Sequence, residues 1–158
     1  IGSCMTNIGH FRAAGKLLEE SKEPIQSKMW IAPPTKMDEA KLREEGLYNI
    51  FARRGVRTEM PGCSLCMGNQ AQIAEGSTAI STSTRNFPNR LGKNTSVFLG
   101  SAELATITAI LGKLPRLEEY KVYIETLNST KRDIYSYLDF SEMAEYTSPS
   151  SIVVKQVN

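Results

Sequence analysis

The sequence lacks the features that would tie it to a membrane, a secretory route or a polyanion. No run approaches the ~18 consecutive apolar residues of a membrane span, and the first residues do not have the basic and apolar regions of a signal peptide. Lys and Arg number 19 against 17 Asp and Glu, so the net charge is only +2. This balance gives no reason to expect nucleic acid or a membrane as an obligatory partner. Internal repeats are also absent, and the length fits one ordinary domain.

Cysteine and histidine are scarce, and their numbers limit which disulfides and metal sites the chain can form. Three cysteines cannot all pair within one chain. With no sign of secretion we expect a reducing, cytoplasmic compartment, where clustered cysteines indicate metal or redox chemistry rather than structural disulfides. The single histidine, His10, follows Cys4 by six residues. It could complete a zinc site with three cysteines, or it could simply cap a helix.

Hydrophobic periodicity predicts alternating strands and helices over the first two-thirds of the chain. Ile1 reads as the last residue of a strand that begins upstream, so we expect a domain truncated at its N-terminus. Four further strands are predicted, in order, at 29–32, 56–60, 77–84 and 97–99. Helices are predicted at 7–21, from Thr35 to Gly55, after Ser101, and in the charged last third around 117–127 and 134–143.

Alternation of this kind predicts an α/β fold. We expect a three-layer α/β/α domain with a mostly parallel sheet, because helices cover both faces of such sheets. Residues 1–115 are assigned to this domain, and residues 116–158 to a helical C-terminal extension of the same domain.

Cysteines and arginines follow three of the five predicted strands. Cys4 comes after the first strand, Cys63 and Cys66 after the third, and Arg85 and Arg90 after the fourth. The carboxyl ends of parallel strands share one edge of a sheet, where ligands bind. We therefore expect three thiols and two guanidinium groups to meet in one crevice.

Three thiols without an obvious fourth protein ligand favour a [4Fe-4S] cluster with one open iron, because structural zinc sites and electron-transfer clusters usually take four protein ligands. An open iron can act as a Lewis acid on a hydroxyl and a carboxylate. That chemistry suits the addition or removal of water beside carboxylates, which arginines such as Arg85 and Arg90 bind in a bidentate manner. Taken alone, Cys63 and Cys66 fit a thioredoxin-like redox pair or half a zinc site equally well.

Three motifs, in this order, resemble the cluster and substrate segments of the aconitase family. They are GSCMTN at 2–7, PGCSLCMGNQ at 61–70 and STSTRNFPNR at 81–90. The resemblance is greatest to the C-terminal end of the bacterial B-type branch, and it extends over nearly the whole chain.

The resemblance implies that Cys4, Cys63 and Cys66 hold the [4Fe-4S] cluster and that Arg85 and Arg90 hold substrate carboxylates. Family members often carry Asn directly before the first of these arginines, where it supports the cluster. This sequence departs from that pattern with Thr84.

The resemblance also implies a hydro-lyase that interconverts the tricarboxylates citrate and isocitrate through cis-aconitate, with 2-methylisocitrate as a further candidate substrate. The family's catalytic base lies on a domain with no counterpart in this sequence. We therefore expect the chain to work with the remaining domains of the same protein and to be inactive alone. Two alternatives stay open: an RNA-binding regulator that takes mRNA when the cluster is absent, as in some family members, and a zinc-stabilised interaction domain.

Overall fold

The computed structural model describes residues 1–68 and 72–136. Helices and strands alternate through this part of the chain. The helices are α1 (Ile8–Glu20), α2 (Lys36–Glu44), α3 (Leu47–Arg53), α4 (Ser64–Met67), α5 (Ala102–Leu111), α6 (Leu117–Asn128) and α7 (Lys131–Ile134). The strands are β1 (Trp30–Ile31), β2 (Arg57–Thr58), β3 (Thr78–Ser81) and β4 (Ser96–Leu99).

The strands pair in parallel, as predicted for an α/β fold. β1 pairs with β2, with Trp30 opposite Arg57, and β3 pairs with β4, with Thr78 opposite Ser96. The crossover from β1 to β2 contains α2 and α3, whereas a long loop over residues 82–95 joins β3 to β4; parallel strands cannot be joined by a tight turn.

The first two residues lie between the two pairs. The Ile1 amino group donates to the Trp30 carbonyl at 2.6 Å, and the Ala32 amide donates to the Ile1 carbonyl at 2.9 Å. These are the hydrogen bonds of a parallel bridge, so Ile1 lies beside β1 as a paired strand residue would. The Gly2 amide donates to Thr82 Oγ1 at 2.9 Å, just beyond β3. The segment therefore connects the β1 edge to the β3 edge.

Helices occupy both faces of β1, which supports a layered α/β/α arrangement. Successive side chains of a strand point to opposite faces. Ile31 is buried in the main core, formed largely by α1, α3 and α5. Its neighbours Trp30 and Ala32 instead pack with Leu65 of α4 in a second, smaller cluster. The one-turn helix α4 therefore lies on the face of the sheet opposite α1.

Polar side chains fix the predicted helix starts. At the head of α1 the Asn7 side chain accepts from the Gly9 amide at 2.9 Å, and His10 Nδ1 accepts from the Asn7 amide at 3.0 Å. This reciprocal arrangement is a capping box, so the capping role considered for His10 is observed. Thr35 and Ser101 likewise cap α2 and α5 through their side-chain oxygens, as their positions before apolar periodic segments predict.

The single helix predicted from Thr35 to Gly55 is wrong, because Gly46 divides it into α2 and α3. Gly46 adopts a left-handed conformation with φ of 79°, and its amide donates to the Arg43 carbonyl at 3.0 Å. A left-handed glycine at this point ends one helix and turns the chain. The turn lets Leu47 and Phe51 of α3 enter the main core.

The last third of the described chain packs on the same core. Leu127 of α6 and Ile134 of α7 are buried there, which confirms the helix predicted around 117–127. The helix predicted at 134–143 is wrong where the structure describes it, because α7 ends at Ile134 and Tyr135 lies in a turn. The remainder of that prediction, and the tail at 152–154, fall outside the described residues. No helix in the described part of the chain is long and apolar enough to cross a membrane.

Candidate functional site

Cys4 lies in a tight turn directly after the Ile1 bridge. The Thr6 hydroxyl donates to the Ser3 carbonyl at 2.6 Å, and the Ser3 amide donates to Thr6 Oγ1 at 3.2 Å. These bonds close the turn and leave Cys4 exposed at its tip. Gly2 allows the turn to approach α4, because a Cβ there would lie 2.9 Å from the Ala32 carbonyl oxygen and 3.1 Å from Leu65 Cδ1.

Cys63 and Cys66 lie at the start and in the middle of the turn that forms α4. Gly62 has φ of 137°, a conformation open to glycine alone, and its amide donates to the Pro33 carbonyl at 2.8 Å. The Met67 amide closes the helical turn on the Cys63 carbonyl at 3.0 Å. Cys63 is exposed, whereas Cys66 is buried beneath it.

The Cys63 thiol lies close enough to Cys4 and Cys66 for both to act on its ionisation. Desolvation and the adjacent Cys4 thiol raise the pKa of the Cys63 thiol, and the charge of Cys66 raises this pKa further. Thiols behave in this way when each thiolate disfavours ionisation of the next. Within residues 1–68 and 72–136, no three Cys, His, Asp or Glu side chains are already set at metal-ligand spacing. The thiols therefore share one edge of the fold without forming a preorganised ligand set.

Cys66 has a polar neighbour from the strand-end loop after β3. The Ser83 hydroxyl oxygen lies 3.0 Å from Cys66 Sγ, and both groups are buried. The same oxygen accepts from the Arg85 amide at 3.1 Å. This contact joins the cysteine loop to the arginine loop.

Arg90 is buried against the cysteine loop, with 2% of its surface exposed. Its Nη1 donates to the carbonyls of Leu65 and Cys66 at 3.0 and 3.1 Å, and its Nη2 donates to Ser81 Oγ at 2.9 Å. Burial lowers the pKa of the guanidinium, and the Cys66 charge acts in the opposite direction. Arginine has five N–H donors, so two remain, and the buried Nε has no partner among the described residues.

Gly68 sets the approach between Arg90 and the cysteine loop. Its φ is 73°, and a Cβ there would lie 1.9 Å from the Arg90 carbonyl oxygen. Only glycine fits such a position without moving the backbone. The loop that carries Cys66 can therefore lie directly against the loop that carries Arg90.

Arg85 differs from Arg90 because it is exposed. Its amide is fixed by Ser83, but its side chain makes no hydrogen bond or ion pair within the described part of the chain. Thr84, which replaces the asparagine common in the family pattern, is also exposed. The guanidinium of Arg85 is thus presented to solvent from an anchored backbone.

The sequence predicts that three cysteines and two arginines share one edge; the structure brings Cys66 into contact with the Arg85 backbone through Ser83 and with Arg90, and the joint ligand role of the three cysteines stays a prediction. Sequence reasoning missed Ser81 and Ser83, which were read only as strand residues. Their signal lay in the run of hydroxyl side chains from 81 to 84, where a strand ends beside a cysteine loop. Hydroxyls at such positions often bond to neighbouring backbone or side-chain groups.

The fold and the site together define a parallel α/β domain in which a buried arginine holds a cysteine loop at the strand ends. The model of the Aconitase family (aconitate hydratase) matches residues 1–112. The chain belongs to this family.

Relatives within the family share its sequence closely. The chain is similar to aconitate hydratase B of Pseudomonas aeruginosa, with 62% identity over 92% of this chain and 17% of that protein. It is also similar to aconitate hydratase B of Escherichia coli, with 57% identity over 99% of this chain and 18% of that protein. A more distant relative is the large subunit of 3-isopropylmalate dehydratase from Flavobacterium johnsoniae, with 34% identity over 72% of this chain and 25% of that protein. The chain thus spans less than a fifth of the length of the two aconitate hydratases, and its family membership implies an iron–sulfur cluster.

Proposed function

We propose that the chain supplies the cluster ligands and substrate arginines of an aconitate hydratase. The proposed reaction is the interconversion of citrate and isocitrate through cis-aconitate, with 2-methylisocitrate as a second candidate substrate. The observation that supports this proposal is a buried arginine that holds the Cys66 loop by its backbone carbonyls, beside the turns that carry Cys4 and Cys63. Family membership and the similarity to aconitate hydratase B support it.

The donor set at this edge fits a [4Fe-4S] cluster. Cys4, Cys63 and Cys66 offer three soft thiolates, the ligands that iron–sulfur clusters take. Two of the thiols are exposed, Cys4 on a turn closed by Ser3 and Thr6 and Cys63 on a turn that Gly62 makes sharp, so they can close on a shared centre. When bound through three cysteines, the cluster supplies one iron free to act as a Lewis acid.

Arg85 and Arg90 are proposed to hold substrate carboxylates. Arg85 offers a solvent-exposed guanidinium on an anchored backbone. Arg90 offers the buried Nε, whose lack of a partner is a cost that a carboxylate oxygen would remove. Anchoring Arg90 by two carbonyls and a hydroxyl fixes its orientation before the substrate arrives.

The remaining parts of the reaction are proposed to come from elsewhere in the protein. The described residues at this edge include cysteines, serines and arginines but no group placed to act as the base, so the chain should be inactive alone. We propose residues 1–115 as the cluster-binding α/β domain and 116–158 as its helical extension. Three free thiols fit a reducing, cytoplasmic setting.

Anaerobic reconstitution of the natural full-length protein with iron and sulfide tests the proposal. We expect a brown protein with about four irons and four sulfides per site. Each of the three single variants, Cys4→Ser, Cys63→Ser and Cys66→Ser, should abolish the cluster absorption, because a hydroxyl is a poor ligand for this iron. Met67→Leu is the matched control, since it changes an exposed sulfur beside Cys66 and should leave the spectrum intact.

Two results would count against the assignment. A Cys4→Ser protein that still holds the full cluster would remove Cys4 from the ligand set. Zinc without iron and sulfide in the natural protein would favour a zinc-stabilised interaction domain instead.

A further inference from the structure

The Ser83 hydroxyl is enclosed between a backbone donor and a thiol. Ser83 is 5% exposed, and its Oγ accepts a hydrogen bond from the Arg85 amide at 3.1 Å. Its own amide donates to Ser81 Oγ at 3.2 Å. Among the described residues, the partner available to its hydroxyl proton is Cys66 Sγ, at 3.0 Å.

The protonation state of Cys66 decides which group donates the hydrogen bond between Ser83 and Cys66. A thiol could donate to the serine oxygen, but a cysteine that ligates a metal is deprotonated and has no proton to give. The Ser83 oxygen already accepts from an amide, so its hydroxyl is free to donate. The chain of bonds then runs from the Arg85 amide through the Ser83 hydroxyl to the Cys66 sulfur, and each bond polarises the next.

We propose that Ser83 is a positioning residue that donates a hydrogen bond to the Cys66 thiolate and thereby sets the reduction potential of the cluster and its retention. This inference rests on the proposed function, because it requires a cluster on Cys66. Hydrogen bonds to the sulfurs of such clusters are among the factors that set their potentials. A donor stabilises the more negative, reduced cluster more strongly and therefore raises the potential.

The bond has a second consequence for the loop after β3. The Ser83 oxygen holds the Arg85 amide, so the same side chain fixes a ligand of the cluster and the backbone of a proposed substrate arginine. A change in the charge on Cys66 is therefore transmitted to the base of Arg85 through two hydrogen bonds.

Ser83→Ala in the natural full-length protein, reconstituted with iron and sulfide, tests the inference. We expect a lower midpoint potential in a redox titration monitored by electron paramagnetic resonance, and iron release to a chelator about tenfold faster, the scale of one lost hydrogen bond to a charged group. Ser83→Thr keeps the hydroxyl and should retain the natural potential. Ser96→Ala is the matched control, because Ser96 is exposed on β4 and its side chain makes no hydrogen bond within the described residues.

A second measurement detects the donated proton directly. Electron–nuclear double resonance of the reduced natural protein in heavy water should detect an exchangeable deuteron close to a cluster sulfur, and Ser83→Ala should remove that signal. An unchanged midpoint potential and an unchanged deuteron signal in Ser83→Ala would overturn the inference but not the proposed cluster. An equal shift in Ser96→Ala, or a Ser83→Thr protein that behaves like Ser83→Ala, would overturn it too. A natural protein that takes up no cluster would instead overturn the proposed function.

Discussion

Arg85 and Arg90 lie five residues apart in one loop, yet their surroundings differ. Arg90 is buried and bonded to the carbonyls of Leu65 and Cys66, whereas Arg85 is exposed on an anchored backbone. A planar guanidinium can serve two carbonyls and a hydroxyl at once, which an ammonium cannot do with the same geometry. Arg90 therefore holds the cysteine loop in addition to its proposed binding of a substrate carboxylate. Arg85 has only the proposed carboxylate-binding role.

Arg85→Lys and Arg90→Lys in the natural full-length protein should separate these tasks. Both should lower kcat/KM for the conversion of citrate by about tenfold or more, because lysine keeps the charge but loses the bidentate fork. Arg90→Lys should also speed the loss of cluster absorbance in air, since it releases the carbonyls that hold the cysteine loop. Arg85→Lys should leave that rate unchanged. Kinetics and absorbance on the same preparations provide both measurements.

Arg53→Lys is the control for the arginine experiment, because Arg53 is exposed at the end of α3. It should change neither kinetics nor cluster retention. If Arg85→Lys has the same kcat/KM as the natural protein, Arg85 is an ordinary surface arginine. Equal rates of cluster loss in the two site variants would contradict the separate structural task of Arg90.

At the scale of single elements, local side-chain chemistry made much of the fold predictable. Asn7, Thr35 and Ser101 each precede an apolar periodic segment, and each caps the helix that follows. The strand at 97–99 was also placed within one residue. Caps are local interactions, so a single sequence contains the information that they need.

Predictions failed where distant contacts decide the local conformation. The strand predicted at 77–84 ends at Ser81, because Thr82 turns to accept from Gly2 and Ser83 turns toward Cys66. Residue preferences cannot show this, since hydroxyl side chains suit both strands and turns. The burial of Arg90 was missed for the same reason, as its partners lie 24 and 25 residues away.

Gly68→Ala tests whether the contact between the cysteine loop and the arginine loop requires glycine. The variant must place a methyl group 1.9 Å from the Arg90 carbonyl oxygen at a positive φ. We expect a loss of about 3 kcal/mol in the free energy of unfolding, from left-handed strain and overpacking together. Urea titration followed by circular dichroism measures it.

Gly55→Ala is the matched control for Gly68→Ala. Its φ is 71°, but no atom lies within 4 Å of the added Cβ, so only the conformational cost of about 1 kcal/mol applies. Equal losses in the two variants would show that crowding against Arg90 contributes nothing.

In the isolated 158-residue polypeptide, the free amino group of Ile1 ties stability to pH. The group bridges to β1 at the centre of the strands, and burial lowers its pKa from 8.0 to about 5. The unfolded chain therefore binds a proton between these pH values that the folded chain does not bind. Unfolding takes up a proton in this window, so stability increases as the pH rises through it.

The free energy of unfolding of the 158-residue polypeptide should increase by about 2 kcal/mol between pH 6 and pH 8, from this group alone. Urea titrations at several pH values measure the change. The same polypeptide with an acetylated amino terminus carries no charge at this position and should lose most of the dependence. An acetylated chain with the same pH profile would show that other groups, such as the thiols, are responsible.

The spacing of the thiols along the chain means that a shared cluster would cross-link distant parts of the fold. Only two residues separate Cys63 from Cys66, but 58 separate Cys4 from Cys63. That stretch contains α1, β1, α2, α3 and β2. Under the proposed function, bonds from both ends to one shared centre close the stretch into a ring, as a disulfide would. Closing a ring of this length restricts the unfolded chain by about 4 kcal/mol in the chain-entropy treatment. An oxidant that destroys the cluster also opens this ring. Loss of the proposed activity and loss of stability in the first half of the fold would then occur in a single step.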